Sequence, residues 1–417
     1  MGMSLMEKKL LVVNSATPKK SYILARLKEL GVKLICLNTE KKDWAEQYVD
    51  EWILADTFDH VASIQQVELF IRIHPESSPD GVITFWEDDV LLTSKLSDYF
   101  GWIGIPLSIS SKTRNKYSFR EFCQENNLPA PHHTTVKTEA DVTLATQQFT
   151  FPLVVKPAYG SHSAFVIKAG SEAACREAVR YIQEHLSVAV ESALTDGLDI
   201  IVEEYLDGQE VDVDLLVQRG TIVFSSITDN EKTNEPYFVE TGESIPSALP
   251  AATQAEIVAL ASQTVQKLGI QNGCLHFEAK ATSRGPFPIE VNLRMGGGEV
   301  YFFNNQCWGV DLVENGARIA LGVPCHPKKA ASPLAYIATE QFLPERSGRL
   351  SVIIVDEKVK NLGYVAELVF EKKESENIFA APEGYDCIGW VTVFGESSQD
   401  AQKNLAEVKQ YIQYRID

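Results

Sequence analysis

The chain lacks the features that mark secreted, membrane-spanning and nucleic-acid-binding proteins. Its seven cysteines are scattered over 417 residues with no C-x-x-C pair, which argues against a disulfide or zinc framework. No apolar run approaches the roughly eighteen residues that a membrane span needs. The formal net charge of −19 repels nucleic acid and acidic membrane surfaces, so neither is expected as a partner. Residues 1–6 have no secretory signal pattern, and we therefore expect a cytoplasmic protein.

A dinucleotide-binding fingerprint is also missing, although the N-terminal pattern is that of an α/β domain. Strand-like residues 8–14 are not followed by G-x-G-x-x-G, which argues against an NAD enzyme. Strand-like and helix-like segments then alternate to about Gly104, which predicts a small doubly wound parallel sheet. Glu87 and Asp88 follow its last strand, where ligands approach such sheets. We expect them either to form one wall of a cleft or to cap the next helix.

The segment from Leu275 to Gly298, LHFEAKATSRGPFPIEVNLRMGGG, carries the strongest functional signal. Its two halves alternate apolar and polar residues, which predicts a hairpin that places Glu278 opposite Glu290. Asn292 follows two residues later. Two carboxylates and an amide, completed by phosphate oxygens, suit a nucleotide-bound Mg²⁺ ion. The alternative is an ordinary hairpin with carboxylates on its solvated face.

Two further segments carry lysines and small residues suited to phosphate. Residues 105–131 predict a helix that contains Lys116. Residues 151–169 predict two strands around a short loop, with Lys156 at the end of the first strand. Loop amides near Ser161 and Ser163 are candidates for a phosphate cradle. Taken alone, each signal also fits a solvated lysine or an ordinary turn.

Residues 201–216, IVEEYLDGQEVDVDLL, predict two strands joined by an acidic link. Backbone groups of Glu204 and Leu206 are candidates for hydrogen bonds to an adenine edge. Tyr205 is a candidate to cover the ring, and Glu210 to accept from ribose hydroxyls. The alternative interpretation is a solvated hairpin bend.

Taken together, these motifs resemble the ATP-grasp superfamily over nearly the whole chain. The resemblance depends mainly on EEYLDGQE at 203–210 and IEVNLRMGGG at 289–298. It implies a mixed α/β (α+β) fold with four parts. These are a Rossmann-like N-terminal domain (1–107), an ATP-grasp core (108–131 and 201–330), a mobile lid (132–200) and a β-rich C-terminal domain (331–417) that ends in a helix from near Ser398.

The resemblance also implies a role for each matching residue, with ATP and Mg²⁺ as cofactors and Mn²⁺ as an alternative ion. The implied phosphate, adenine and ribose contacts are Lys116, Lys156, Ser161, Ser163, Glu203, Glu204, Tyr205, Leu206 and Glu210. The implied metal ligands are Glu278, Glu290 and Asn292. Arg294, with amides around Gly297, would stabilise the acyl phosphate and the oxyanion that follows.

Within the superfamily, the E-V-N-x-R-M-G-G-G stretch is most similar to L-amino-acid ligases and carnosine-synthase-type dipeptide synthetases. His276 stands where relatives that make D-Ala-D-Ala have Arg, and the Q-V-E-H run of biotin carboxylase is missing, which counts against both activities. His276 is either a phosphate donor or a packed strand residue, and period-two alternation places it on the face of Glu278. The substrate pocket, or the core of the next helix, would include Tyr301, Phe302, Phe303 and Trp308.

The implied reaction is an ATP-dependent ligation. A carboxylate is activated as an acyl phosphate and attacked by an amine, which joins two L-amino acids and releases ADP and phosphate. A purine-pathway or carboxyphosphate-forming ligase and an ATP-binding regulatory protein without turnover are the alternatives. The expected partners are small-molecule substrates, and the family layout favours a homodimer.

Overall fold

A computed structural model describes residues 4–186 and 197–417 of the chain. The N-terminal part is the predicted parallel sheet, with strand order β3-β2-β1-β4. Strands β1 and β2 are apolar and almost entirely buried because helices cover the sheet. The elements are β1 (Lys9–Val13), α1 (Ser21–Glu29), β2 (Lys33–Asn38), β3 (Glu51–Leu54), α2 (His60–Ile73), β4 (Gly81–Thr84) and α3 (Val90–Phe100).

The helix predicted within residues 105–131 is in fact two helices, α4 (Leu107–Arg114) and α5 (Lys116–Glu125). The expectation of a single helix is wrong because Asn115 adopts an extended conformation between them. The Asn115 side chain caps α5 by accepting a hydrogen bond from the Ser118 amide at 2.9 Å. Lys116 is therefore the first residue of α5 rather than a residue in the middle of one long helix.

A second layer is the four-stranded antiparallel sheet with order β5-β8-β6-β7. As predicted, β6 and β7 pair on either side of the Gly/Ser loop. Residues 187–196 of the predicted lid, and residues 1–3 of the N-terminus, lie outside the described residues. The elements are β5 (His133–Val136), α6 (Glu139–Gln148), β6 (Leu153–Pro157), β7 (Ile167–Ala169), α7 (Glu172–His185) and β8 (Ile200–Glu204).

The strands after residue 208 begin a larger, separate sheet. Because β8 belongs to the four-stranded sheet and β9 to the large one, the hairpin-bend interpretation of residues 201–216 is wrong. The acidic link crosses between two sheets. The elements are β9 (Gln209–Gln218), β10 (Thr221–Asn230), β11 (Gly242–Ile245), α8 (Ala251–Leu268), β12 (Asn272–Thr282), β13 (Gly285–Asn292), α9 (Val300–Trp308) and α10 (Leu312–Ala320).

The C-terminal part extends this large sheet across the predicted boundary at residue 330. The complete sheet has eight strands in the order β13-β12-β9-β10-β11-β14-β18-β16, and a small sheet has the order β17-β15-β19. The predicted C-terminal helix begins where expected, at Ser398. It is not the last element, because strand β19 follows it. The elements are β14 (Tyr336–Phe342), β15 (Gly348–Val355), β16 (Val365–Phe370), β17 (Asn377–Ile378), β18 (Gly389–Gly395), α11 (Ser398–Lys409) and β19 (Ile412–Ile416).

Across residues 4–186 and 197–417, the helices are too short or too polar to cross a bilayer.

Candidate active site

One cavity of about 190 Å³ is lined by every residue that the sequence assigns to the site. Its walls come from the four-stranded sheet, the start of α5, the large sheet and the glycine run before α9. Residues far apart in the sequence therefore meet in one place. The predicted site residues that line the cavity are Lys116, Lys156, Ser161, Ser163, Glu203, Glu204, Tyr205, Leu206, Glu210, His276, Glu278, Glu290, Asn292, Arg294 and Gly297.

The predicted metal ligands occupy adjacent positions on the hairpin of β12 and β13. Glu278 is directly opposite Glu290 in the register. The Asn292 amide donates to Glu278 Oε1 at 2.8 Å. Burial and the neighbouring charge of Glu290 hold the pKa of Glu278 well above its usual range. A divalent cation would relieve this repulsion, so the donor set fits Mg²⁺.

The protein itself supplies only part of a coordination shell at this position. In the part of the chain that the structure describes, no group of three or more His, Cys, Asp and Glu side chains could hold a metal ion. The two carboxylates and one amide therefore need additional oxygen donors. Phosphate oxygens and water are the usual donors at Mg²⁺ sites of this kind.

Lys116 is buried beside the carboxylate pair. Its Nζ lies 3.3 Å from both carboxylate oxygens of Glu290 and donates to the carbonyl oxygen of Gly160 at 3.1 Å. The backbone amide of Lys116 donates a hydrogen bond to the carbonyl oxygen of Ala158 at 2.8 Å. This bond attaches the start of α5 to the loop after β6. The start of α5 thus places a cation between the phosphate-loop candidate and the metal-ligand candidates.

Lys156 and Glu203 form a buried charge cluster with Arg120. Lys156 Nζ forms an ion pair with Glu203 Oε1, and Arg120 Nε donates to Glu203 Oε2 at 3.0 Å. Burial lowers the pKa of Lys156 although Glu203 opposes the change. Burial alone would raise the pKa of Glu203, but Arg120 and Lys156 outweigh it and lower the pKa to about 2. The Glu203 carboxylate therefore positions Lys156, a contact that the sequence did not predict.

The hinge between the two sheets is fixed by backbone and aromatic contacts. The backbone amide of Glu204 donates a hydrogen bond to the carbonyl oxygen of His132 at 2.8 Å. The Tyr205 hydroxyl donates to Glu235 at 2.9 Å, and Lys168 Nζ lies 4.0 Å from the centre of its ring. Tyr205 and the buried Leu206 both line the cavity. An aromatic ring beside an apolar side chain suits a flat heterocycle such as adenine.

The loop between β6 and β7 has an uncommon backbone. Gly160, His162, Ser163 and Phe165 all have positive φ angles. Left-handed residues within a short loop can turn neighbouring amides into a concave, anion-binding arrangement. The Phe165 amide donates to the Tyr385 hydroxyl at 2.7 Å, which connects this loop to the C-terminal part. The geometry therefore suits the phosphate cradle that the sequence suggests.

His276 is held by two aspartates that the sequence interpretation missed. Its Nδ1 lies 2.9 Å from Asp214 Oδ1, and its Nε2 lies 3.7 Å from Asp212 Oδ2. Burial alone would lower the pKa of His276, but the two carboxylates outweigh burial and raise it to about 10. The two aspartates therefore favour the protonated form of His276. The missed signal is the alternation of Glu210, Asp212 and Asp214 along β9, which places all three on one face.

Arg294 connects the site to the N-terminal domain. Its Nε lies 2.9 Å from Glu87 Oε2, and Arg114 Nε lies 3.5 Å from Glu87 Oε1. The N-cap of α3 is Asp89, so Glu87 and Asp88 are not the capping residues of that helix. Glu87 is not itself among the residues that line the cavity, but it contacts Arg294, which is. The N-terminal sheet thereby fixes the orientation of a site residue.

The four aromatic residues after the glycine run pack in two different places. Phe303 is fully buried in a core cluster that Phe302 and Trp308 also contact, so their placement matches the helix-core alternative. Tyr301 stacks on Tyr22 of α1 with ring centres 5.1 Å apart. This stacking joins α9 to the N-terminal domain.

Comparison with known proteins identifies the class of domain. Residues 149–301 match the model of the ATP-grasp domain. The crystal structure of L-amino acid ligase from Bacillus licheniformis has the same fold as this chain. The two structures superpose with a TM-score of 0.82 at 22% identity over 99% of each chain.

Two of the sequence relatives are a synthase and a ligase by name. Carnosine synthase 1 of Mus musculus is 28% identical over 351 residues, which cover 78% of this chain and 42% of that protein. The chain thus spans less than half the length of that relative. Alanine–anticapsin ligase of Bacillus subtilis (strain 168) is 22% identical over 377 residues, which cover 83% of this chain and 79% of that ligase.

Proposed function

We propose that the protein is an ATP-dependent carboxylate–amine ligase that joins two amino acids through an acyl phosphate and releases ADP and phosphate. The observation that carries the proposal is the single cavity that combines a nucleotide hinge, paired phosphate-binding lysines and two facing carboxylates. The similarity to an L-amino acid ligase and to an alanine–anticapsin ligase supports amino acids as substrates.

The first chemical step is phosphoryl transfer. A substrate carboxylate oxygen bonds to the γ-phosphorus of ATP, and the bond from that phosphorus to the bridging oxygen breaks to release ADP. Lys116 and Lys156 neutralise phosphate charge, and the hinge at Tyr205 and Leu206 holds the adenine. Mg²⁺ bound by Glu278, Glu290 and Asn292 would add further charge neutralisation at the phosphates. The remaining contribution is positional, because both reactants are held in one cavity.

The second step forms the amide. The amine nitrogen bonds to the acyl carbon, the carbon–oxygen bond to phosphate breaks, and inorganic phosphate leaves. Negative charge develops on the carbonyl oxygen during the attack. Arg294 and the amide of Gly297 are the donors we assign to this oxyanion. The Glu87 ion pair fixes the Arg294 guanidinium before the substrate arrives.

The test is phosphate release from ATP and Mg²⁺ by purified protein in all pairwise mixtures of L-amino acids, with β-alanine included and products identified by mass. We expect release that requires two amino acids and yields ADP and one dipeptide. The Arg294→Ala variant serves as the inactive control with the nucleotide site intact. Release that requires bicarbonate or an aminoribonucleotide instead would overturn the amino-acid assignment. Tight ATP binding without release in any mixture would favour a regulatory role.

We also propose that the protein is a cytoplasmic homodimer. All seven cysteines are free thiols, as expected in a reducing compartment. The dimer is suggested by the layout of the resembling family. Light scattering behind size-exclusion chromatography is expected to give twice the chain mass of 46.3 kDa. A monomeric mass across micromolar concentrations would refute it.

A further inference from the structure

A continuous row of polar side chains crosses one face of the large sheet, beyond the residues assigned above. Directly opposite residues in adjacent antiparallel strands share a face, and residues two apart in one strand do so as well. The row begins at the metal-ligand candidates and continues to β16. In strand order it comprises Glu290, Glu278, Asp212, Thr228 with Asn230, Glu243, Thr339, Thr392 and Glu367.

Glu243 differs from the other acids of this row because it has no partner. Its side chain lines the cavity although the residue is only 9% exposed. Among the described residues, none donates a hydrogen bond to its carboxylate, and no cation lies within ion-pair distance. The adjacent Asn230 Oδ1 is also buried without a hydrogen bond. A carboxylate that faces the cavity without a donor from the protein suits a ligand that brings N–H groups.

Apart from Glu240, which is exposed, the other acids of the cavity and its histidine are already engaged. Asp214 and Asp212 hold His276, and Asp212 also accepts from the Asn230 amide at 3.2 Å. Glu210 lies 3.5 Å from Lys280 Nζ. Both ring nitrogens of His276 face these aspartates, so neither is directed at a substrate amine. Glu243 is three strands from Glu278, about 14 Å along the sheet at roughly 4.8 Å per strand, which leaves room for a small amino substrate between it and the phosphate end.

We infer that the Glu243 carboxylate binds the amino group of the acceptor substrate and takes a proton from it, which frees the nitrogen lone pair to attack the acyl phosphate. This inference rests on the proposed ligase function. It assigns Glu243 as a catalytic residue and defines the acceptor as a primary amine that arrives protonated, such as an amino acid. Burial, with Glu240 and Asp212 nearby, raises the pKa of Glu243 well above its usual range, which brings it closer to that of an amine.

The proton balance of the step is complete without another reactant. The substrate ammonium gives one proton to Glu243, and the nitrogen lone pair then bonds to the acyl carbon. The carbon–oxygen bond breaks, and the leaving phosphate carries the electron pair. The amide nitrogen loses its second proton to that phosphate. Glu243 returns its proton to water when the product leaves.

Hydroxylamine provides the test, because its nitrogen is unprotonated at neutral pH and traps an acyl phosphate as a hydroxamate without a base. With ATP, Mg²⁺ and the carboxylate substrate, we expect Glu243→Gln to form hydroxamate at nearly the wild-type rate. With an amino-acid acceptor, we expect its rate of amide formation to fall by about 10²- to 10⁴-fold, the usual contribution of a general base. Glu243→Asp keeps the carboxylate and is expected to recover part of this loss. It also provides a charged variant if the glutamine form does not fold.

The matched control is Glu340→Gln on the neighbouring strand β14, which makes the same chemical change in a carboxylate that pairs with Lys409 outside the cavity. It should retain both rates. Equal loss of hydroxamate and amide formation in Glu243→Gln, or loss of neither, would refute the role assigned to Glu243. Either result would leave the proposed ligase function intact. Absence of hydroxamate with wild-type protein and every carboxylate tried would instead refute the ligase function on which the inference rests.

Discussion

Replacing Glu203 by Gln should destabilise the fold strongly, although the two side chains have nearly the same shape. The pKa of Glu203 is about 2 instead of the ordinary 4.5. Because each pKa unit corresponds to about 1.4 kcal/mol, ionisation of this carboxylate stabilises the folded state by about 3 kcal/mol. Removing one partner of a buried ion pair typically costs about 3–5 kcal/mol, a range that includes the value obtained from the pKa of Glu203. The variant leaves Lys156 and Arg120 buried without their counter-ion.

The measurement is urea unfolding of Glu203→Gln beside Glu204→Gln. The control carries the same change in the adjacent carboxylate, which pairs with a half-exposed Arg284 at 2.7 Å. Exposed pairs contribute about 0–1 kcal/mol, so we expect only a small loss of unfolding free energy for the control. Equal losses in the two variants would refute the argument that Glu203 neutralises two buried cations.

The same residue predicts how stability depends on acid. A carboxylate with a lowered folded-state pKa stabilises the protein at pH values above its ordinary pKa of 4.5. This contribution is lost as the pH falls from there through about 2. Unfolding free energies of wild-type protein should thus fall more steeply over this interval than those of Glu203→Gln. Parallel curves for the two proteins would contradict the assignment.

Three further predictions concern the reaction and its nucleotide site. Arg294→Ala should lower kcat by about 10²- to 10³-fold while isothermal calorimetry shows ATP affinity unchanged, and an equal loss of affinity would refute its assignment to the oxyanion. Glu87→Gln should lower kcat by a smaller factor, because the guanidinium remains but loses the ion pair that orients it. Glu278→Gln should raise the Mg²⁺ concentration needed for ADP binding without changing metal-free ADP binding, and an unaltered Mg²⁺ dependence would argue against a ligand role.

The parts of the site that the sequence predicts well are those with a local signal. The alternation in β12 and β13 predicts Glu278 opposite Glu290, and the pairing is confirmed. The turn alone would place Ile289 there, and a register shift between Glu278 and Ala279 brings Glu290 opposite instead. Asp212 and Asp214 carry the same alternation. Their role was missed because its significance depends on His276, which lies on a strand more than sixty residues away in the sequence.

Other features have no local signal at all. The strands on either side of the acidic link have the pattern of a hairpin, and only long-range pairing assigns β8 and β9 to different sheets. Similarly, the partnership of Glu203 with Lys156 and Arg120 depends on three separate elements. Nothing near Glu203 in the sequence distinguishes it from Glu204, which pairs with a half-exposed arginine.

The ion pair between Glu87 and Arg294 limits how this protein can be recombined with its relatives. The two residues belong to domains that appear separate in the sequence, but neither domain alone contains the complete arrangement. A chimera that takes its N-terminal sheet from another ligase would inherit an Arg294 whose carboxylate partner has a different position or is missing. Exchange of nucleotide-binding parts between such enzymes therefore requires the segment that follows β4 to be transferred together with the glycine-rich segment.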